Sequence, residues 1–193
     1  IVLAVPSNWT EIQRQSILNS ALIANVKIAE LLDSATASAV SLVKIHGDRF
    51  SEEEGQNVLF IEIGDSSMSS TIAKVTKKSI EMKSNFTDNS INGQIFTEKL
   101  EKYLIEKVAE KYKIDPKTNK RATIRLKQAC EKVKKILSSN PVVLFEVPSL
   151  MNDIDVSITV KRDEFNELIK SFIPKIKENI ELTIQKAGIS KED

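Results

Sequence analysis

Residues 129–140 read A-C-E-K-V-K-K-I-L-S-S-N, and this stretch decides how the chain is interpreted. A helix here places one polar row at i, i+3, i+4 and i+7, made of Glu131, Lys134, Lys135 and Ser138. A separate apolar row contains Leu126, Ala129, Val133, Ile136 and Leu137 and is predicted to face a core. The polar row has two interpretations: a surface that holds the sugar and base of a nucleotide, or a solvated face with one ion pair.

The composition is typical of a soluble globular chain. Its 193 residues are 41% hydrophobic and 28% charged, enough for one large domain or two small subdomains. The net charge of +1 gives no indication of nucleic-acid or membrane binding, and we expect neither as a partner. No apolar run approaches the roughly 18 residues of a membrane span. Cys130 is expected to be a buried small side chain, and the lone His46 predicts no zinc site.

The predicted order of elements is β-α-β-α-β-β-β followed by α-α-β-β-α, which indicates an α/β chain with two packed subdomains. Thr10 and Gln13 have the spacing of a capping box, so a helix is predicted from about residue 11. The last helix, over 163–187, is expected to be interrupted near Pro174.

The string A-C-E-K-V-K-K-I-L-S-S resembles the helix that lines the adenosine pocket in the DnaK-like, seventy-kilodalton heat-shock chaperones. Further matches occur in order and at compatible spacing, at Val5-Pro6, Gln13-Arg14-Gln15 and residues 58–64, 118–121 and 149–155. The resemblance implies the nucleotide-binding domain of an actin-like (ribonuclease H-like) ATPase, represented by its lobe II only. Its inner subdomain would comprise 1–91 plus 170–193, and its outer subdomain 92–169.

The resemblance also implies a ligand, ATP or ADP with magnesium in the complete domain. Adenosine would contact the polar row of Glu131, Lys134, Lys135 and Ser138. We expect the sequence to be a fragment, since the family continues into a further strand and a glycine-rich adenosine loop. We therefore expect no tight nucleotide binding to this part alone, because the family site uses both lobes.

The phosphate loop departs from the family pattern. The family has D-L-G-G-G-T where this chain has Glu62-Ile63-Gly64-Asp65-Ser66-Ser67. Close approach of phosphate to backbone N–H groups favours glycine, and only Gly64 remains. We expect residual phosphate contacts from Gly64, Ser66 and Ser67, weakened by the negative charge of Asp65.

Catalytic acids of the family are also replaced. Ser34 stands where the family has a glutamate, Ser69 stands where it has an aspartate, and Gln94 lies in a segment that has lost both acids. We predict no catalytic residue and no metal ligand in this chain. Nucleotide binding is expected to persist while ATPase activity is weak or lost.

This pattern resembles the large branch of the family, the hundred-and-ten-kilodalton class and its counterpart in the endoplasmic reticulum. Residues 151–157, M-N-D-I-D-V-S, look closer to that branch. The resemblance implies a nucleotide-exchange factor for a typical seventy-kilodalton chaperone, with unfolded clients bound through regions absent here. The cytoplasm is the expected compartment and the endoplasmic reticulum lumen the alternative. An autonomous ATP-hydrolysing chaperone and a scaffold that binds no nucleotide remain as alternative functions.

Overall fold

The structure, a computed structural model, describes residues 1–192 and is mixed α/β. Its elements are β1 (Val2–Val5), α1 (Glu11–Ile23), β2 (Glu30–Asp33), α2 (Ser34–His46), β3 (Gln56–Ile63), β4 (Met68–Val75), β5 (Ile80–Asp88), α3 (Gly93–Tyr112), α4 (Lys120–Leu137), β6 (Val142–Met151), β7 (Ile154–Lys161), α5 (Arg162–Ile169) and α6 (Ile173–Ala187). Short 3-10 turns cover Gly47–Arg49, Pro116–Thr118 and Lys170–Phe172. This order confirms the predicted alternation of strands and helices.

The predicted start of α1 is confirmed by a complete capping box. The Gln13 N–H donates to the Thr10 hydroxyl at 3.3 Å, and the Thr10 N–H donates to Oε1 of Gln13 at 2.8 Å. Each bond satisfies an N–H group that has no acceptor inside the helix. The interaction is local, which is why the sequence alone predicted it.

The chain forms two compact units. The first comprises Ile1–Ile63, Met68–Asp88 and the residues from Lys177 onward. It contains the parallel pair β1–β2 and an antiparallel sheet in the order β3-β4-β5. A small apolar cluster centres on Phe50, Ala73 and Val75. The predicted subdomain boundaries after 91 and 169 rest on the family resemblance and remain a prediction.

The second unit comprises Gly64–Ser67 and Asn89–Ile176. Its core joins α3, α4, α5 and the antiparallel hairpin β6–β7. The hairpin turns at Asn152 and Asp153, whose φ values of 53° and 56° are typical of a two-residue type I′ turn. The pairing of Met151 with Ile154 on either side agrees with a turn of two residues.

Helix α4 buries one side in this core, as predicted. Its buried residues are Ala122, Leu126, Cys130, Val133 and Leu137, which recur every three or four positions. Ile136 was predicted in the same row, but it is 44% exposed because it lies beside this line of residues rather than on it. The core contact of α4 is therefore narrower than the sequence indicated.

The predicted interruption of the last helix is confirmed. Helix α5 ends at Ile169, a 3-10 turn covers Lys170–Phe172, and α6 begins at Ile173. Pro174 is the second residue of α6, where its missing N–H removes no hydrogen bond within the helix.

Truncation of Leu126 to alanine is expected to lower the free energy of unfolding by about 2–5 kcal/mol, because the side chain is fully buried and leaves a cavity. Urea denaturation measures the change. Ile124→Ala, on the same helix and 50% exposed, is the control and should cost less than about 0.5 kcal/mol. Equal effects of both variants would contradict the assigned core face.

Candidate functional site

The polar side of α4 meets the start of α3 through the ammonium group of Lys134. Its Nζ lies 2.7 Å from Oε2 of Glu131, 2.9 Å from the Thr97 hydroxyl and 2.9 Å from the carbonyl oxygen of Gly93. The Thr97 hydroxyl also lies 2.5 Å from Oε2 of Glu131. One carboxylate, one hydroxyl and one backbone carbonyl thus surround a single cation.

All three ammonium protons of Lys134 have protein acceptors. The side chain is only 16% exposed, so this cation is held inside the protein. A direct nucleotide contact by Lys134 would have to replace one of its three bonds. In this structure its role is to join α4 to the first turn of α3 and to orient Glu131.

The other two residues of the predicted polar row are exposed. The side chain of Lys135 is 73% exposed, and its Nζ lies 3.3 Å from Oε1 of Glu131. Ser138 is exposed at the carboxyl end of α4. Lys135 is therefore the cation of the row that is accessible to a ligand.

An open groove of about 700 Å³ runs along this side of α4. It is lined by Asp65, Gln94, Thr97, Lys127, Gln128, Glu131, Lys132 and Lys135. Glu131 and Lys135 were predicted as site residues. Lys127 lies one helical turn before Glu131, so extending the predicted row by a turn would have found it. Thr97 comes from another helix, and no local pattern indicated it.

The environment of Glu131 keeps its carboxylate ionised. Partial burial by itself raises the pKa, but the hydrogen bonds from Lys134 and Thr97 and the charge of Lys134 outweigh burial and lower the pKa to about 2. The groove therefore presents a fixed negative charge among lysines. Such a carboxylate can accept hydrogen bonds from ligand hydroxyl groups.

The predicted phosphate-loop residues lie beside the start of α3. The N–H of Gly64 donates to the carbonyl of Ser67 at 2.8 Å, which closes a tight turn. A Cβ atom added to Gly93 would lie 3.4 Å from the carbonyl oxygen of Gly64 and 3.4 Å from Nζ of Lys134. Gly93 is therefore the point where the loop and the lysine meet, and a side chain there would crowd both.

In the first unit, three serines surround the carboxylate of Glu62. The hydroxyls of Ser34 and Ser69 donate to Oε2 at 3.0 and 3.4 Å, and that of Ser38 donates to Oε1 at 2.9 Å. Ser34 and Ser69 are two of the positions where the sequence lacks the acids of the family. Within residues 1–192, no group of three or more His, Cys, Asp or Glu side chains is arranged to hold a metal ion.

Comparison with known proteins agrees with this fold. A family described as "Hsp70 protein" matches residues 1–193. Heat shock protein 88 of Dictyostelium discoideum is 40% identical over 168 residues, covering 87% of this chain and 22% of the relative. Heat shock 70 kDa protein 14 of Arabidopsis thaliana is 34% identical over 191 residues, covering 99% of this chain and 23% of the relative. Heat shock protein hsp88 of Neurospora crassa is 34% identical over 197 residues, covering 100% of this chain and 27% of the relative.

The chain belongs to the Hsp70 family, and it corresponds to part of the nucleotide-binding domain with the actin-like ATPase fold. Its similarity extends to proteins of the Hsp88 type. The chain spans about a quarter of the length of these relatives. Among the helices of residues 1–192, none is both long enough and apolar enough to cross a membrane.

Glu131→Gln is expected to destabilise the protein at neutral pH and to do so less as the pH falls. The folded pKa of about 2 lies below the value of about 4.3 for an unfolded glutamate. The carboxylate therefore contributes stability above about pH 4.3, and the contribution is lost as the pH falls toward 2. Urea unfolding of the wild type and of Glu131→Gln at pH 7, 4 and 3 measures the difference in their free energies of unfolding, which should narrow as the pH falls.

The matched control for this titration is Glu178→Gln, at an exposed glutamate of α6. If the free energies of unfolding of wild type and Glu131→Gln differed by the same amount at all three pH values, the ionised, hydrogen-bonded state of Glu131 would be contradicted.

Proposed function

We propose that this chain is part of a nucleotide-binding Hsp70-superfamily co-chaperone, which exchanges nucleotide on a typical seventy-kilodalton chaperone and hydrolyses ATP weakly or not at all. The observation that carries the proposal is the carboxylate of Glu62, which accepts hydrogen bonds from Ser34, Ser38 and Ser69. Both of its oxygens are engaged by neutral hydroxyl groups of the protein.

Weak or absent hydrolysis is supported by the chemistry of this cluster. Magnesium at phosphoryl-transfer sites is held by carboxylates, phosphates and ordered water molecules in a strict octahedron. Ser34 and Ser69 supply hydroxyls instead of charged ligands, and both donate to Oε2 of the remaining acid. Glu62 alone does not fit the family's magnesium-organising role, so a metal that accompanies the nucleotide would have to rely on groups outside this cluster.

Retained nucleotide binding is supported by the groove along α4. Lys135 is accessible there and favours an anionic ligand, while the ionised Glu131 can accept bonds from ribose hydroxyls. Lys134 orients Glu131, and Ser138 stands exposed at the end of the row. Gly64, Ser66 and Ser67 remain the proposed phosphate contacts. The ligand is ATP or ADP, with magnesium in the complete domain.

The exchange role is supported by similarity to proteins of the Hsp88 type, which fits the large branch that the sequence resembles. Unfolded clients would bind through other regions of the full-length protein. The cytoplasm is the proposed compartment, with the endoplasmic reticulum lumen as the alternative. A scaffold that binds no nucleotide is the second candidate, and the full engagement of Lys134 within the protein favours it.

The exchange role is tested by loading a typical seventy-kilodalton chaperone with fluorescent ADP and following its release by stopped flow. The full-length protein is expected to accelerate release many-fold. Lys135→Ala should weaken ATP binding by about tenfold, since a lost charged hydrogen bond costs about 1.5 kcal/mol or more. Lys102→Ala, at an exposed lysine of α3, is the control. A protein that neither binds ATP nor accelerates release would be the scaffold.

Restoring the family acids tests the lost hydrolysis. The triple variant Glu62→Asp, Ser34→Glu and Ser69→Asp is expected to raise ATP turnover about tenfold or more, because a well-held metal contributes several kcal/mol to catalysis. The control triple variant carries Glu62→Asp with Ser34→Ala and Ser69→Ala, which removes the hydroxyls without adding acids. Turnover by the wild type at the rate of a typical chaperone would instead identify an autonomous ATPase.

A further inference from the structure

The loop of residues 64–67 is bonded to the first residues of α3 at four points. The N–H groups of Gly93 and Gln94 donate to the carbonyls of Gly64 (2.8 Å) and Asp65 (3.1 Å). The side-chain amide of Gln94 donates to Oδ2 of Asp65 at 2.7 Å. The side-chain amide of Asn92 donates to the carbonyl of Ser66 at 3.3 Å. Both backbone and side chains of α3 therefore hold this loop.

These bonds complete the amino end of the helix. The first four N–H groups of a helix have no acceptor within it. Here Gly93 and Gln94 donate to the loop, Ile95 donates to Oδ1 of Asn92 at 2.8 Å, and Phe96 donates to the Asn92 carbonyl at 3.3 Å. Asn92 is 6% exposed, so its side chain is sheltered from solvent, whereas Gly64, Asp65 and Gln94 are exposed. The N–H groups of Gly93, Gln94 and Ile95 are thus satisfied by protein groups, and Phe96 makes the first regular bond of the helix.

Two departures of the sequence from the family pattern meet in this arrangement. Asp65 stands at a glycine of the phosphate loop, and Gln94 lies in the segment that has lost both acids of the family. The amide of Gln94 donates to the carboxylate of Asp65, whereas a glutamate at 94 would place two negative charges together. The two positions therefore form one compatible pair rather than two separate losses.

The arrangement continues into α4. The carbonyl of Gly93, whose N–H binds the loop, accepts a hydrogen bond from Nζ of Lys134 at 2.9 Å. Residues Gly64–Ser67 also belong to the second compact unit with α3 and α4, although the strands β3 and β4 on either side of them belong to the first. The tight turn between the paired strands β3 and β4 and the hydrogen bonds to Asn92, Gly93 and Gln94 both fix the position of this loop.

We propose that Asn92 and Gln94 are positioning residues that lock the loop of residues 64–67 onto α3 through hydrogen bonds of the protein itself. Asp65 is the loop's side-chain partner in this lock, so its carboxylate is held by Gln94. The lock fixes where the backbone of Gly64, Ser66 and Ser67 lies relative to Lys134. The lock goes beyond the proposed function because it consists of bonds within the protein and does not require that a nucleotide binds.

Hydrogen exchange of the full-length, ligand-free protein tests the lock at the amides of Gly93 and Gln94. Gln94→Glu should make these amides exchange at least about tenfold faster, because the carboxylate at 94 repels Asp65 and the local opening becomes easier. Gln185→Glu, the same change at an exposed position of α6, is the matched control and should leave their exchange unchanged.

A double variant distinguishes a specific effect on the lock from a general loss of stability. In the double variant Asp65→Asn with Gln94→Glu, the amide and the carboxylate exchange places, so the hydrogen bond can form again. Protection of the Gly93 and Gln94 amides should return to within about threefold of wild type, while the unfolding midpoint is measured in parallel. Failure of the double variant to regain protection would overturn the pairing of Asp65 with Gln94.

Addition of ATP to the wild-type protein distinguishes this inference from the proposed function. ATP binding is first measured independently by calorimetry. Protection of the two amides should already be high without ATP and should not rise when ATP is added. Rapid exchange in the ligand-free wild type would overturn the lock whether or not ATP binds, whereas absence of ATP binding with protected amides would overturn only the proposed function.

Discussion

The candidate site of the second unit is organised by the ammonium group of Lys134 and its three acceptors. A lysine that is largely removed from water needs a compensating set of hydrogen bonds, and Gly93, Thr97 and Glu131 supply it. The same bonds fix α3 against α4, which forms one side of the groove. They also hold Gly93, whose N–H donates to the loop of residues 64–67. Loss of this one cation would leave the Glu131 carboxylate without its main partner and the groove without its geometry.

The departures from the family pattern form two hydrogen-bonded sets, one in each unit. In the first unit, Glu62 is surrounded by serine hydroxyls where the family has additional acids. In the second, Gln94 binds the carboxylate of Asp65. In both sets a carboxylate accepts hydrogen bonds from neutral side-chain groups. The altered residues are therefore bonded to other groups of the protein.

Much of the fold was predictable because it depends on neighbours in the sequence. The capping box of Thr10 and Gln13, the turn at Asn152 and Asp153 and the break near Pro174 each involve residues within a few positions of one another. The buried row of α4 also follows a local period, although Ile136 shows that periodicity does not define the width of the buried face. These features are determined by backbone geometry and by the spacing of apolar side chains.

The candidate site depended on contacts between distant parts of the chain. The polar row of α4 was visible in the sequence, but Thr97 contacts Glu131 across 34 positions and Lys134 contacts Gly93 across 41. These contacts make Lys134 an internal anchor and leave Lys135 as the accessible cation, although both lie on the predicted row. A helical pattern indicates which residues lie on the same side of a helix. Only packing against another helix decides which lysine of that side is buried, because a buried cation needs hydrogen-bond acceptors that the other helix supplies.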